Sequence, residues 1–264
     1  MILVIVFCLK RIYLLTLPNR EKNNMKLTYI YHSCFSIEDD AFTILIDYYK
    51  DSSDDLRKGI VHQYLLTRPG KIYVMCSHSH ADHFNPEILE WRAQRPDIQY
   101  IFSKDILDCG KALKGDAVFL DKSDVYKDDL LNIRAFGSTD IGISFLIEVE
   151  GKRIFHAGDL NNWHWNEEAT EEESREYEQN FLDELEVLAK YTDYLDLVMF
   201  PVDPRLGKDY MRGPKQFINR IKTGMLAPMH FGEDYIKASA FKSYAGINGC
   251  RFASLSFRGE SFEF

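Results

Sequence analysis

The stretch KIYVMCSHSHADH, residues 71–83, decides how the rest of the chain is interpreted. Its first half contains a continuous apolar run, IYVMC at 72–76, which predicts a strand buried on both faces. The polar cluster that follows has three histidines and one aspartate within six residues. Imidazole and carboxylate are the usual ligands of zinc and related ions. The stretch therefore predicts a metal centre rather than a polar surface loop with incidental histidines.

The spacing inside this cluster predicts positions for two ions. His78 and His80 are alternate residues, so on an extended segment both side chains can point toward the same ion. Asp82 and His83 lie beyond the end of the strand, where the chain can turn toward a second ion. We expect Asp82 also to orient the attacking water, which makes it a candidate catalytic residue.

SHSHADH at 77–83 resembles the HxHxDH motif of the metallo-β-lactamase superfamily. The resemblance spans roughly residues 26–264, and it implies an α/β fold, a four-layer αββα sandwich with two metals between facing sheets. HSCFSIE (32–38) and TILIDYY (43–49) resemble the superfamily's opening strands. The GHxxF-like opening strand and HAGD at 156–159 most resemble the ascorbate-6-phosphate lactonase-like branch. GSTDIGISF followed by HAGDLNNWHW resembles a bacterial subgroup of the same superfamily. These motifs are specific for the superfamily and not for a substrate.

The resemblance also implies two ligands further along the chain. The superfamily has a bridging aspartate after a hairpin, and Asp159 in FHAGDLN (155–161) stands at that place. A carboxylate suits a bridge because its two oxygens can bind two cations at once. A last histidine is expected at the end of a late strand, which LAPMHFG (226–232) supplies. The implied metal ligands are His78, His80, Asp82, His83, Asp159 and His230.

One part of the chain departs from the superfamily pattern. Another ligand histidine usually precedes the FLIE strand, but RAFGSTDIGISFLIE at 134–148 contains none. Three arrangements remain open. The first ion is held by the remaining ligands and water, or Asp140 or His164 replaces the missing histidine, or one metal position is weak or empty.

Other residues near these motifs have two interpretations each. We predict that Asp47 hydrogen-bonds a metal-binding histidine, with an ordinary turn acid as the alternative. His32 either approaches the site or caps a turn. The segment NNWHW at 161–165 is predicted to line a pocket, with His164 as a ligand or catalytic proton donor, against the alternative of a packed aromatic loop.

Three further residues belong to the same set of expectations. Asp203 and Arg205 either contact the substrate or form a local ion pair. His156 is expected to support the fold. His62 lies in a stretch without a motif, and we expect it on the surface.

Composition bounds the domain organisation and the compartment. The chain has 264 residues and a net charge of -9, so binding to a nucleic acid backbone is not favoured. Residues 1–24 are interpreted as an N-terminal extension, because Met25 opens a strand-like segment, and residues 25–264 as one domain. The nine-residue apolar run at the start is too short to span a bilayer. Five cysteines without ligand spacing predict a reduced, cytoplasmic compartment.

The sequence thus predicts a hydrolase with two divalent metal ions, zinc being favoured and iron or manganese alternatives. A metal-activated hydroxide would attack a small, anionic ester, lactone or phosphodiester. Two other function classes stay open: a non-haem iron oxidoreductase of the same fold, and a metal-binding sensor without turnover. Neither a membrane nor a nucleic acid is expected as a partner.

Overall fold

In the computed structural model, which describes residues 24–55 and 58–264, the strands form two seven-stranded mixed sheets. The first sheet has the order β14-β1-β2-β3-β4-β5-β6, and the second has the order β13-β12-β11-β10-β9-β8-β7. The strands are β1 (Lys26–Tyr31), β2 (Cys34–Glu38), β3 (Phe42–Ile46), β4 (Lys71–Cys76), β5 (Gln99–Ser103), β6 (Val118–Leu120), β7 (Val125–Lys127), β8 (Asn132–Phe136), β9 (Ser144–Val149), β10 (Lys152–His156), β11 (Tyr194–Pro201), β12 (Lys222–Met229), β13 (Arg251–Phe252) and β14 (Ser261–Glu263).

Helices flank the two sheets. They are α1 (Ile60–Gln63), α2 (Lys104–Asp108), α3 (Glu171–Tyr191), α4 (Arg212–Arg220), α5 (Tyr235–Ser239) and α6 (Lys242–Ile247), with 3₁₀ turns at Leu65–Thr67, Pro86–Ala93 and Pro204–Asp209. The longest of them, α3, starts with a capping box in which Thr170 and Glu173 bond each other's backbone N–H groups. Within the described residues, no helix is both long and apolar enough to cross a membrane.

The buried strand β4 explains why two layers cover the first sheet. Its side chains alternate between faces, as they must in a strand. Tyr73 and Met75 pack into the core shared by both sheets. Ile72, Val74 and Cys76 pack into a second apolar cluster on the opposite face. The predicted four-layer sandwich is confirmed, because each sheet has one face toward the other sheet and one toward helices.

The strand directions bring several chain segments to one edge of the sandwich. In the first sheet β3, β4 and β5 run parallel, and in the second sheet β10, β11 and β12 do so. Carboxyl ends of parallel strands meet at the same edge, where open α/β sheets bind their ligands. The segments that follow these strands carry most of the residues singled out in the sequence.

The pair Asn85-Pro86 predicts the start of a helix, and Pro86–Ala93 is a 3₁₀ helix. Its buried side chains Ile88 and Trp91 lie three residues apart, matching three residues per turn. The sequence interprets residues 1–24 as an N-terminal extension. Residues 1–23 of this segment lie outside the described part of the chain.

Candidate metal centre

The centre is built from residues that directly follow strand ends. Asp47 follows β3, the cluster 77–83 follows β4, and Asp159, Asp203 and His230 follow β10, β11 and β12. Three residues here have left-handed backbone conformations, which are uncommon for residues other than glycine: His32 with φ 57°, Asp47 with φ 53° and His230 with φ 63°. Such conformations persist where surrounding contacts enforce them, and they concentrate at functional sites.

A first group of ligand atoms gathers around His78. Its Nε2 lies 3.1 Å from His80 Nδ1 and 3.3 Å from Asp159 Oδ2. His78 and Asp159 are buried, whereas the His80 side chain is 46% exposed. These three side chains form one group that could hold a metal ion.

A second group faces the other oxygen of the same aspartate. Asp159 Oδ1 lies 3.2 Å from His83 Nε2 and 3.4 Å from His230 Nε2. Asp82 Oδ2 lies 4.0 Å from His230 Nε2 and 3.3 Å from His32 Nε2. The four side chains other than Asp159 form a second group with metal-binding potential. The two oxygens of Asp159 therefore face different groups, which is the arrangement that a bridging ligand requires.

The distances within both groups fit cation ligation. With metal–ligand bonds of about 2.1 Å, neighbouring ligand atoms lie roughly 3.0 Å apart in octahedral and roughly 3.4 Å apart in tetrahedral geometry. Most of the contacts above fall in that range. Moreover, three buried ligand atoms, His32 Nε2, His83 Nε2 and Asp159 Oδ1, make no hydrogen bond of acceptable geometry within the described residues. Buried polar atoms without partners are costly, and a shared cation would satisfy them.

A buried carboxylate orients two of the histidines, as the sequence predicted for Asp47. Its Oδ2 lies 2.8 Å from His83 Nδ1 and accepts a 2.6 Å hydrogen bond from the Ser77 hydroxyl. That hydroxyl lies 2.9 Å from His78 Nδ1 and can accept its hydrogen. Both histidines then carry their proton on Nδ1 and present the lone pair of Nε2 to the centre.

The second sheet repeats this device at His230. Its Nδ1 lies 2.9 Å from Oδ2 of the buried Asp203, so Nε2 is again free for a metal. Asp203 also accepts hydrogen bonds of 2.9 Å and 2.6 Å from Arg205. Asp203 and Arg205 therefore form a local ion pair, one of the two interpretations that the sequence allows for them.

The carboxylates dominate the electrostatics of the centre. Burial acts to lower the pKa of His83, but Asp159 and Asp47 outweigh it and raise that pKa well above its usual value. Burial likewise acts to raise the pKa of Asp159, but His83 and His230 hold it well below the usual value. The close approach of His32 lowers the pKa of Asp82. The centre thus favours positive charge, whether protons or bound cations supply it.

The loop that carries Asp159 is fixed by close packing. Gly158 has φ 54°, and a Cβ there would lie 2.8 Å from the Ile143 carbonyl oxygen, so this position of the Gly-Asp pair requires glycine. The indole Nε1 of Trp163 donates a 2.8 Å hydrogen bond to the Asp159 carbonyl. The Thr139 hydroxyl donates a 2.6 Å bond to the Asn161 carbonyl. These contacts fix the position of Asp159 in the loop.

The segment without the usual histidine lies beside the first group. Asp140 Oδ2 is 3.7 Å from His80 Nδ1, and its side chain is 44% exposed. At Gly142, a Cβ would lie 2.4 Å from His78 Cβ, so the segment passes directly over that ligand. Of the two replacements considered from the sequence, the structure brings Asp140 to the group and not His164.

His164 lies outside both groups, contrary to its predicted role as ligand or proton donor. Its Nε2 donates to the Asp209 carbonyl at 3.2 Å, and its Nδ1 accepts from the Asn166 N–H at 3.2 Å. Both ring nitrogens are therefore engaged in holding the loop. The neighbouring Trp163 and Trp165 do line the cavity over the centre, so the predicted pocket wall is present without the histidine.

The two remaining histidines, His156 and His62, belong to neither group. His156 supports the fold as expected, since its Nε2 donates to the Ser33 carbonyl at 2.9 Å. His62 was expected on the surface, but its side chain is only 18% exposed and lies between Asp51 and Glu87, at 2.7 Å and 2.6 Å. Sequence reasoning failed here because both carboxylates are distant in the chain.

Two cavities meet at the centre. One, of about 380 Å³, is lined by His80, Asp82, Thr139, Asp140, Asp159, Trp163, Trp165, Tyr177, Arg205 and His230. The other, of about 620 Å³, shares Asp82, Arg205 and His230 and extends past Tyr31, Tyr49 and Lys237. Arg205 therefore lies between them, with 62% of its side chain exposed.

The family of the chain follows from a direct comparison with known families. A family model described as a β-lactamase superfamily domain matches residues 26–175, more than half of the chain. The chain belongs to the metallo-β-lactamase superfamily. A search of curated protein sequences found no match for this metallo-β-lactamase superfamily member.

Solved structures share the metallo-β-lactamase fold of the chain at low sequence identity. Igni18, a metallo hydrolase from Ignicoccus hospitalis, is 20% identical with a TM-score of 0.63, covering 92% of this chain and 99% of Igni18. CmlA, a diiron β-hydroxylase from Streptomyces venezuelae, is 13% identical with a TM-score of 0.62, covering 94% of this chain and 55% of CmlA. YhfI from Bacillus subtilis, a metallo-β-lactamase fold protein, is 13% identical with a TM-score of 0.56, covering 92% and 100%. At these identities the likeness concerns the fold alone.

Proposed function

We propose that this protein is a metal-dependent hydrolase that acts on a small anionic ester, lactone or phosphodiester. The observation that carries the proposal is the position of Asp159, whose Oδ2 faces His78 and whose Oδ1 faces His83 and His230. A carboxylate shared in this way suits two cations held side by side. Ligand atoms of both groups border an open cavity, so a substrate can reach the reacting position.

The residues of the chain divide the work of such a reaction. When bound, divalent ions act as Lewis acids and lower the pKa of water from about 15.7 to about 7. Asp82 is 40% exposed and borders both cavities, so its carboxylate can orient a water and accept its proton. His164 is not placed to donate a proton to the leaving group, so we assign this step to water.

The cavity walls favour a substrate with an anionic group. Arg205 is bonded to Asp203 through Nε and Nη2, while its exposed guanidinium borders both cavities. A planar guanidinium matches carboxylate and phosphate groups. The stacked rings of Trp163 and Trp165, with centroids 6.2 Å apart, line one of these cavities together with Arg205 and offer an apolar surface. A substrate with an anionic group and an apolar part would suit these cavity walls.

A substrate panel tests the proposal. The protein would be purified, its metal content measured, and separate samples loaded with zinc, manganese or iron. Each would be assayed with matched anionic and neutral members of an ester, a lactone and a phosphodiester series. We expect turnover in at least one anionic series and loss of turnover on chelation. Metal-loaded protein that hydrolyses none of these compounds would contradict the proposal.

The substitution Arg205→Met tests the anion preference separately. It keeps an apolar stem of similar length and removes the charge, so KM for the anionic substrate should rise about tenfold or more. KM for the neutral analogue should change little. An equal rise for both analogues would show that Arg205 shapes the cavity without recognising charge.

A redox function is a second candidate, supported by the carboxylates. Asp140 stands beside His80 where the superfamily usually has a histidine, and oxygen ligands shift preference toward harder ions such as manganese and iron. The structural likeness to a diiron β-hydroxylase is compatible with iron but concerns the fold alone. Iron as the native metal, with dioxygen consumption and no hydrolysis, would favour this alternative.

A further inference from the structure

The two groups of the centre are unequal in the number of ligand atoms. The first offers His78 Nε2, His80 Nδ1 and one oxygen of Asp159. The second offers the other oxygen of Asp159 and, in addition, atoms from His32, Asp82, His83 and His230. His32 comes from the turn between β1 and β2, far in sequence from the other ligands.

The backbone around His32 is held so that the ring points into the centre. Its N–H donates a 3.0 Å hydrogen bond to the hydroxyl of the buried Tyr29, and its carbonyl accepts a 3.3 Å bond from the His230 N–H. These bonds fix the left-handed conformation at φ 57°. Such a conformation is strained for a residue other than glycine, so the surrounding contacts must enforce it.

The His32 ring contacts the rings of Tyr49, His83 and His230. The Nε2 of His32 lies 3.3 Å from Asp82 Oδ2. This buried nitrogen nevertheless makes no hydrogen bond of acceptable geometry within the described residues. The His32 ring lies 4.4 Å from the His230 ring, centroid to centroid. Two imidazoles and a carboxylate aimed at a common point match ligands around one cation.

We propose that His32 is an additional ligand of the second metal position, and that this position binds its ion more tightly than the first. The inference rests on the metal centre of the proposed function but not on hydrolysis. Its chemistry is that of a divalent transition metal, for which imidazole is a suitable ligand.

The test uses the full chain, stripped of metal and titrated with Co²⁺ and Zn²⁺ against a competing chelator dye. The wild type should bind two ions per chain in two steps of different affinity. The variant His32→Asn keeps a residue that tolerates left-handed backbone but is too short to reach the ion. It should weaken the tighter step by about tenfold or more, and the weaker step by less than about threefold. The visible spectrum of its 1:1 Co²⁺ complex should also change.

Two variants serve as controls. Asp140→Asn should weaken the weaker step and leave the tighter one unchanged, because Asp140 stands beside the first group. His62→Gln should alter neither step, because His62 lies between Asp51 and Glu87 and belongs to neither group of candidate ligands. Circular dichroism of each metal-free variant checks that the fold is retained.

Each outcome bears on the inference in a defined way. An unchanged tighter step and an unchanged Co²⁺ spectrum in His32→Asn would overturn it, as would equal weakening of both steps. Two-step binding sensitive to His32, in a protein that hydrolyses no substrate, would support this inference while contradicting the proposed function. A wild type that binds no metal would contradict both.

Discussion

The buried and the open side of the metal centre hold their histidines by different means. On the buried side, His83 and His230 each face a fully desolvated carboxylate, Asp47 at 2.8 Å and Asp203 at 2.9 Å. The two sheets thus use the same device, although the chain segments are unrelated in sequence. Such partners fix the tautomer and the ring orientation of a metal ligand.

On the open side, His80 and Asp140 are both about half exposed, at 46% and 44%, and lie 3.7 Å apart. Within the described residues, no buried carboxylate makes a hydrogen bond to either of them. Side chains of the same types therefore differ in how they are held. On the buried side a carboxylate fixes each histidine ring, whereas on the open side the side chains are half exposed and free to adjust. We expect the buried side to set metal affinity and the open side to admit the substrate.

The largest loss of metal binding and activity should come from removing Asp159, which is shared by the two groups of candidate ligands. Asp159→Ala deletes the carboxylate shared by the two groups, so both ions should be lost and activity should fall well beyond the roughly 10–100-fold typical of supporting residues. Elemental analysis of the dialysed variant measures the metal. Full retention of two ions per chain would show that Asp159 does not bridge them.

A smaller but still large effect is expected from the buried supports. Asp47→Asn presents an amide N–H₂ to groups that all donate to the carboxylate: His83, the Ser77 N–H and the Ser77 hydroxyl. We expect a loss of about 10–100-fold in metal affinity, measured by chelator competition.

The matched variant Asp203→Asn sharpens the comparison. Among the histidines, Asp203 bonds only His230, whereas Asp47 bonds His83 and also acts on His78 through Ser77. The Asp203 variant should therefore weaken only the tighter binding step, and the Asp47 variant both steps. Equal patterns in the two variants would mean that the two supports are not distinct.

The open side should respond less. Asp140→Ala removes a half-exposed carboxylate near His80, and we expect activity to fall by a few-fold to about tenfold, with metal content at saturating concentration unchanged. Steady-state kinetics at saturating metal gives the measurement. A loss as large as that of Asp159→Ala would place Asp140 among the essential ligands.

Substitution of His62 should have the smallest effect on metal binding and activity. It should instead change how the free energy of unfolding depends on pH. The hydrogen bond to Asp51 raises the pKa of His62, so its stabilisation is full below about pH 6.5 and is lost as pH rises through the folded-state pKa. The variant His62→Gln should therefore cost about 1–3 kcal/mol near pH 6 and less near pH 9, in urea unfolding of metal-free protein. A cost that grows with pH would contradict this assignment.

The sequence predicts those candidate ligands that stand in short motifs directly after strands. His78 to His83 occupy one short loop after a buried strand, and Asp159 and His230 follow strand ends in the expected order. The two-sheet sandwich follows from the same motifs and is confirmed. The identity of the ions, the substrate and the reduced compartment stay predictions.

The sequence leaves open or misses roles that depend on distant contacts: His32 has two interpretations, and His62 is expected on the surface. His32 reaches the centre only because β1 and β12 end at the same edge, and His62 is enclosed by two carboxylates from other segments. His164 shows the opposite error: it lies five residues after Asp159 in the chain, yet the turn directs its ring toward the Asp209 carbonyl. Proximity in sequence does not determine the direction of a side chain.

The ligands come from both sheets, and this has a thermodynamic consequence. His78 and His83 belong to the first sheet, while Asp159 and His230 belong to the second, so a bound ion joins the two halves of the sandwich. Anything that binds only the folded state stabilises it by mass action. Separation of the sheets would therefore have to release the ions, and resistance to unfolding becomes a function of the free metal concentration around the protein.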